Sequence, residues 1–349
     1  MSSPKTSPKT LIVATDGQAI MRTHDNGQNW YRLNIGQDLE YDDCVRCLLP
    51  DPRKPGAIFA GAERGLFYSD NCGARWNRVD CELNDYAIWK LVVAPSNPDI
   101  MYAGTGSPTR SIFFRSRDGG KSWQRTDLEM PERCAGVSRP RMLAITVDPY
   151  DPNDVWVGVE EGGLFRTRDG GDNWDRLDET IWDKRAGNSD LHDIVIMAGD
   201  PKVILIITVI SIYRSTDDGK TWSYVGAKDT LGLRYARCLL HKPGSDTDIL
   251  VGIGDGTPGT TAAVLKSSDA GATWEQTSLS QPANSCLWAF GGNDADSNLL
   301  MAGTKFGNLY VSADGGQSWQ KEWREFSEIT ALTWVPGIPT DMELPHVTN

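Results

Sequence analysis

Short apolar runs with two-residue alternation recur along the whole chain, each bounded by Gly, Pro, Asp or Asn. In one stretch an apolar segment from Val45 to Leu49 ends in a Pro-rich turn. Ala57 to Gly61 follows, then Gly65-Leu-Phe-Tyr-Ser69, a turn, and Trp76-Asn-Arg-Val79. The same order returns as Met142 to Val147, a turn at Asp148-Pro-Tyr-Asp-Pro152, Val155 to Gly158, Gly163-Leu-Phe-Arg-Thr167, a turn, and Trp174-Asp-Arg-Leu177. Alternation over four to eight residues is the mark of a half-buried strand. Four such strands per unit predict a four-stranded antiparallel blade.

The turn before each tryptophan fixes the number of units. The pattern Ser/Thr-x-Asp-x-Gly-x-x-Trp runs from Thr23 to Trp30, Ser116 to Trp123, Thr167 to Trp174, Ser215 to Trp222, Ser267 to Trp274 and Ser312 to Trp319. Ser69 to Trp76 is a seventh, degenerate copy with Asn71 in place of Asp. Successive tryptophans are 46, 47, 51, 48, 52 and 45 residues apart. The Asp and Ser/Thr oxygens suit the backbone N–H groups of a tight turn. The Gly supplies a positive φ, and the Trp opens the next strand with a large apolar surface to bury. Seven units predict an all-β, seven-bladed β-propeller. The first unit, from Leu11, lacks one strand, and Ile329 to Val335 is one strand too many. The C-terminal strand is therefore expected to complete the first blade from the inside, which removes an exposed edge. Residues 11–336 form the propeller in this reading, with tails at 1–10 and 337–349.

Composition narrows the partners. The chain has 349 residues, 35 basic and 47 acidic, for a net charge of −12. That balance argues against nucleic acid or an anionic membrane as a partner for the whole surface. The longest apolar run, near Val203 to Ile212, falls far short of the ~20 residues of a membrane helix, and the first ten residues carry no apolar signal region. Seven cysteines, an odd number without small-domain spacing, fit a reducing compartment and a cytoplasmic location. Cys44-Val-Arg-Cys47 is a single C-x-x-C, and Cys47 and Cys238 fall at equivalent repeat positions, as buried strand cysteines would. Gly254-Asp-Gly256-Thr-Pro-Gly259 has dinucleotide-loop spacing but no helical pattern after it. With no paired histidines either, neither a cofactor nor a metal is expected.

These turns resemble those of the BNR/Asp-box repeat propellers, a group with sialidases, xyloglucanases, sortilin-type receptors and photosystem II stability and assembly factors. The likeness covers residues 11 to 336. It implies that the Asp-box is structural and lies at the rim, so Asp25, Asp118, Asp169, Asp217, Asp269 and Asp314 are not catalytic acids. The Phe/Tyr-Arg-Ile-Pro stretch of sialidases is absent here. Xyloglucanases pair two seven-bladed propellers, whereas this chain has repeats for one.

A site is expected where the innermost strands converge on the channel mouth. The turns that follow these strands were aligned at Pro52, Pro95, Pro149, Asp200, Pro243, Asn293 and Pro336. Eight residues earlier stand Cys44, Ala87, Arg141, His192, Tyr235, Ser285 and Glu328. Six earlier stand Arg46, Trp89, Leu143, Ile194, Arg237, Leu287 and Thr330. Arg46, Arg141 and Arg237 are forks suited to carboxylate, phosphate or sulfate. His192, Tyr235 and Glu328 are candidates for nucleophile, base and acid. Trp89, with Tyr86 and Trp288, is a candidate stacking surface. Loops 126–140, 177–191 and 252–263 would wall the site. The bland alternative is a channel of ion pairs, with Glu328, Asp42, Asp85 and Asp190 neutralising the arginines. The leading expectation is a soluble hydrolase or lyase acting on an anionic or sugar-like small molecule. The alternatives are a non-enzymatic assembly factor or scaffold with a protein partner, and a carbohydrate-binding propeller.

Overall fold

The structure is a computed structural model and describes residues 8–134, 136–177, 190–209, 211–225 and 232–340. Every regular element among them is a β-strand, and the strands form seven sheets. Six sheets have four strands in simple up-and-down order. Blade 7 has a fifth, Ser278–Leu279, paired parallel to the outer strand Ser318–Glu325. The innermost strands of blades 2 to 7 are Val45–Pro50, Ala87–Ala94, Met142–Val147, Leu191–Met197, Tyr235–His241 and Leu287–Gly291.

Blade 1 is closed as expected. Its inner strand is the C-terminal Ile329–Pro336, antiparallel to Lys9–Thr15, with Leu11 opposite Trp334 and Val13 opposite Leu332. The pairing begins two residues before the apolar pattern does, because Lys9 and Thr10 find partners in Pro336 and Val335.

Period-two alternation sends successive residues of each blade into two different interfaces. One hydrophobic cluster consequently fills each gap between neighbouring blades. Ile12 and Ile20 of blade 1 meet Val45, Ile58 and Trp76 of blade 2. Leu11 and Val13, one register step away, meet Met301 and Leu309 of blade 7. Cys47 and Cys238 lie in two of these clusters.

The turns behave as their chemistry requires. In all seven copies the Ser/Thr hydroxyl bonds the Asp or Asn side chain two residues on, at 2.7–3.1 Å. The same hydroxyl accepts the Gly backbone N–H at 2.8–3.1 Å. Each of these glycines has a φ between +74° and +101°. Hydrogen bonds from Ser122, Asn173, Thr221 and Thr273 hold Asp118, Asp169, Asp217 and Asp269 down at about 2. These carboxylates are occupied by their own turns.

One irregularity recurs in every blade and builds the channel. Each innermost strand carries one residue more than its neighbour, so the register slips at Thr330, Arg46, Trp89, Leu143, His192, Arg237 and Trp288. A β-bulge of this kind bends the strand and re-aims a side chain. All seven bulged residues line the channel. Glycines on the second strands let the next blade come close: a Cβ on Gly104 would lie 2.6 Å from Met142 Cβ, and one on Gly303 2.6 Å from Ile329 Cγ2.

Candidate functional site

Two connected spaces lie on the axis. The channel proper is a cavity of about 190 Å³ lined by the seven bulged residues, with Lys90 and Asp193 among the others. Above it, the mouth is a cavity of about 360 Å³. Arg46, Trp89, His192 and Trp288 line both spaces, and Arg141, Tyr235 and Glu328 line the mouth alone. Six of the seven residues singled out in the sequence therefore meet at the mouth. The seventh, Arg237, lies one level down in the channel.

Counting back from the following turn fails in two blades, and Cys44, Ala87 and Ser285 line neither space. Ile194 and Leu287 are buried between blades, and His192 and Trp288 take their places on the axis. Tyr86 packs against Phe114, with ring centroids 5.3 Å apart. Loop 126–140 supplies Gly136 and Val137 to the mouth, and loop 252–263 supplies Thr257. Most of the third expected wall, residues 178–189, lies outside the described residues.

The mouth is organised by ion pairs and cation–aromatic contacts. Arg46 pairs with Glu63 at 2.5 Å and Asp16 at 3.5 Å. Arg141 pairs with Glu160. Both guanidiniums lie over Trp89, 4.6 and 4.9 Å from its ring centroid. Trp288 carries Arg237 at 4.2 Å and Lys305 Nζ at 4.1 Å. Lys305 also pairs with Glu328 at 2.7 Å. Both indoles thus act as platforms for cations.

Ion pairing is real here, but the expected neutralisers are mostly not the ones used. Glu63, Glu160 and Asp16 serve the arginines, and no ion pair involves Asp42 or Asp85 among the described residues. Glu63, Glu160, Lys305 and Asp16 share one signal: each directly follows the strand that pairs with an innermost strand. The motifs Ala-Gly-Ala-Glu63, Val-Gly-Val-Glu160 and Ala-Gly-Thr-Lys305 carry it in the sequence.

The three candidate acid–base groups are each engaged. His192 is 3% exposed. Its Nδ1 donates to the Ala236 carbonyl at 2.6 Å, and its Nε2 faces Asp190 at 3.4 Å. Asp190 is held below the usual carboxylate range: its burial opposes ionisation, but the neighbouring His192 and the charges of Arg237 and Arg141 outweigh it. Tyr235, with its ring 5.2 Å from His192, is pushed up by burial. Glu328 is tied to Lys305.

Arg237 differs from every other cation at the site. It is 9% exposed, makes no ion pair or hydrogen bond among the described residues, and its Nη1 is buried without a partner. Taking an isolated charge out of water costs several kcal/mol unless something compensates it. The Trp288 face offsets only part of that, about 2 kcal/mol for a desolvated pair.

The C-x-x-C pair is not a thiolate site. Cys47 is buried, and that burial pushes its thiol up to about 12. Burial also raises Cys44 well above the ordinary range. Among the described residues no group of His, Cys, Asp and Glu is placed to hold a metal ion.

Comparison with known proteins agrees with this architecture. Residues 73–236 match the family described as photosynthesis system II assembly factor YCF48, and residues 310–321 match the BNR/Asp-box repeat. A xyloglucanase of Paenibacillus sp is 28% identical over 77% of this chain and 31% of its own length. The photosystem II assembly lipoprotein Ycf48 of Synechococcus sp. is 24% identical over 71% of this chain and 78% of its own. The chain thus spans about a third of the length of the curated xyloglucanases it matches. Among solved structures, the xyloglucanase of Xanthomonas campestris superposes with a TM-score of 0.61 at 22% identity, over 79% of this chain and 45% of the other. YCF48 from Cyanidioschyzon merolae gives 0.55 at 16%, over 84% and 88%. The repeats, the closed ring of seven blades and these matches together show a seven-bladed β-propeller and support its place in the BNR/Asp-box repeat superfamily.

Proposed function

We propose that this protein binds an anionic small molecule at the mouth of its channel, and that it works as a ligand-binding propeller. The single observation that carries this reading is Arg237, a buried guanidinium that makes no ion pair or hydrogen bond among the described residues, with the charge of Asp190 near it but not in contact. Four other cations share the channel and mouth, and each already has a carboxylate: Arg46, Arg141, Lys305 and Lys90. An anion entering from the mouth would supply what Arg237 lacks, in a low-dielectric setting where charge-assisted hydrogen bonds are strong.

Turnover is the second reading, and the similarity to xyloglucanases favours it. Against it stands the placement of His192, which is buried, with its Nδ1 bonded to the Ala236 carbonyl and its Nε2 turned toward Asp190. Seven free cysteines support a reducing, cytoplasmic setting within the same proposal.

The test is calorimetric titration and thermal shift with small anions, on the wild-type chain and on Arg237→Gln. Binding that raises Tm in the wild type and disappears in a folded Arg237→Gln is the expected result. Equal binding by both proteins overturns the reading. Release of reducing sugar from xyloglucan would favour the hydrolase instead.

A further inference from the structure

We infer that the ligand is a polyhydroxy monocarboxylate, bound end-on along the axis with its carboxylate in the channel and its hydroxyls in the mouth. This rests on the anion-binding reading above and goes further in naming the chemistry of the rest of the molecule.

The two cavities differ in what they offer. The channel level holds the unpaired donor, Arg237, in a space of about 190 Å³ enclosed by seven strands. A space of that size within a closed barrel of blades takes the end of a molecule and not the middle of a chain. The mouth, at about 360 Å³, lies near the lower end of small-molecule sites. Its lining is rich in groups that only accept hydrogen bonds: Glu160, Glu161, Asp190 and Glu328. An ionised carboxylate has no proton to donate. Glu160 and Glu328 each spend part of their capacity on a cation, Asp190 Oδ1 is buried without a hydrogen-bond partner, and Glu161 accepts the Gly136 backbone N–H at 2.7 Å. Carboxylate oxygens accept about two hydrogen bonds each, so the lining keeps capacity for donors on the ligand.

A second anionic group at this level would meet those four carboxylates, while the cations of the mouth, Arg46, Arg141 and Lys305, are already paired, so the ligand carries its negative charge at one end. Hydroxyls are donors without a formal charge, and they suit the remainder. The specificity resides in one carboxylate set at a fixed depth below a rim of acceptors.

The experiment uses the full chain and five probes: D-gluconate, D-glucuronate, methyl D-glucuronate ester, D-glucose and acetate. We expect gluconate or glucuronate to bind at least tenfold more tightly than acetate, and the ester and glucose to show no saturable binding. Asp190→Asn should narrow the preference for gluconate over acetate. Arg237→Lys, which keeps the charge, should retain weak binding if Arg237→Gln fails to fold. Acetate binding as tightly as gluconate overturns this inference while leaving the anion site standing. Glucose binding as well as gluconate overturns it too. Indifference of every probe to both Arg237 variants defeats the anion reading itself.

Discussion

Lys90 of blade 3 and Asp193 of blade 5 meet in the channel, with Nζ 3.3 Å from Oδ1. Each is the residue next to a bulge, so the slip that turns Trp89 and His192 toward the axis also sets this pair below them. Asp193 further accepts the backbone N–H groups of Leu239, in the neighbouring blade, and Ile194. One carboxylate therefore ties three blades together.

Removing it should be costly. Asp193→Ala leaves two backbone N–H groups and the Lys90 ammonium without an acceptor, a loss of about 3–5 kcal/mol by analogy with broken buried pairs. Lys90 is more exposed than its partner, so Lys90→Met should cost less than half as much. Urea denaturation of the two variants measures both, and the order Asp193 above Lys90 is the outcome to check.

Acid should weaken the rim turns together. Asp118, Asp169, Asp217 and Asp269 sit at about 2 in the fold, against an ordinary value of 3.8. A depressed folded value stabilises the protein above the unfolded value, and that stabilisation is lost as pH falls through the folded one. Tm should thus drop between about pH 4 and pH 2, and an Asp269→Asn variant should show a shallower drop. A pH series of calorimetric scans on the two proteins makes the comparison.

The glycine of the box tolerates no side chain. Gly219 has a φ of +79°, and a Cβ there would lie 2.4 Å from Cη2 of the buried Trp156. Gly219→Ala combines backbone strain with overpacking and should cost about 2–5 kcal/mol. Gly17 shares the positive φ but has nothing within 4 Å of such a Cβ. Gly17→Ala should cost only the strain, about 1 kcal/mol or slightly more, so the difference between the two variants isolates the packing.

Trp334 connects the closing strand to its neighbour. It is buried in the cluster between blades 7 and 1, and its Nε1 donates to the Leu299 carbonyl at 2.9 Å. Trp334→Ala should destabilise by about 3–5 kcal/mol. The measurement is the denaturation midpoint, and a change below 1 kcal/mol would contradict the packing described.

Seven blades, the rim turns and the closing strand were legible because each follows from spacing: a turn that needs Asp, Gly and Trp in fixed order leaves a readable mark. The channel was legible only in part. A bulge adds one residue without changing residue type, so period-two counting crosses it unaware. The reference turn lies six residues beyond the bulge at Arg46, Trp89, Leu143, Arg237 and Thr330, but eight beyond His192 and five beyond Trp288. Those two blades are the ones misaligned. The acidic partners escaped for a different reason: each is the first residue past the strand that pairs with an innermost one, where no fixed turn motif marks the position. The lone state of Arg237 has no sequence signature, because an unpaired charge is defined by what surrounds it in space.

The strand Ile329–Pro336 has a temporal consequence. A ribosome releases the other three strands of blade 1 first and the fourth about three hundred residues later. Until then Thr330 is missing from the axis, and the gap between the first and last blades stands open. A nascent chain can stack blades 2 to 7 as they emerge, yet it holds no finished pocket. The mouth is complete only once this one late strand has reached the axis.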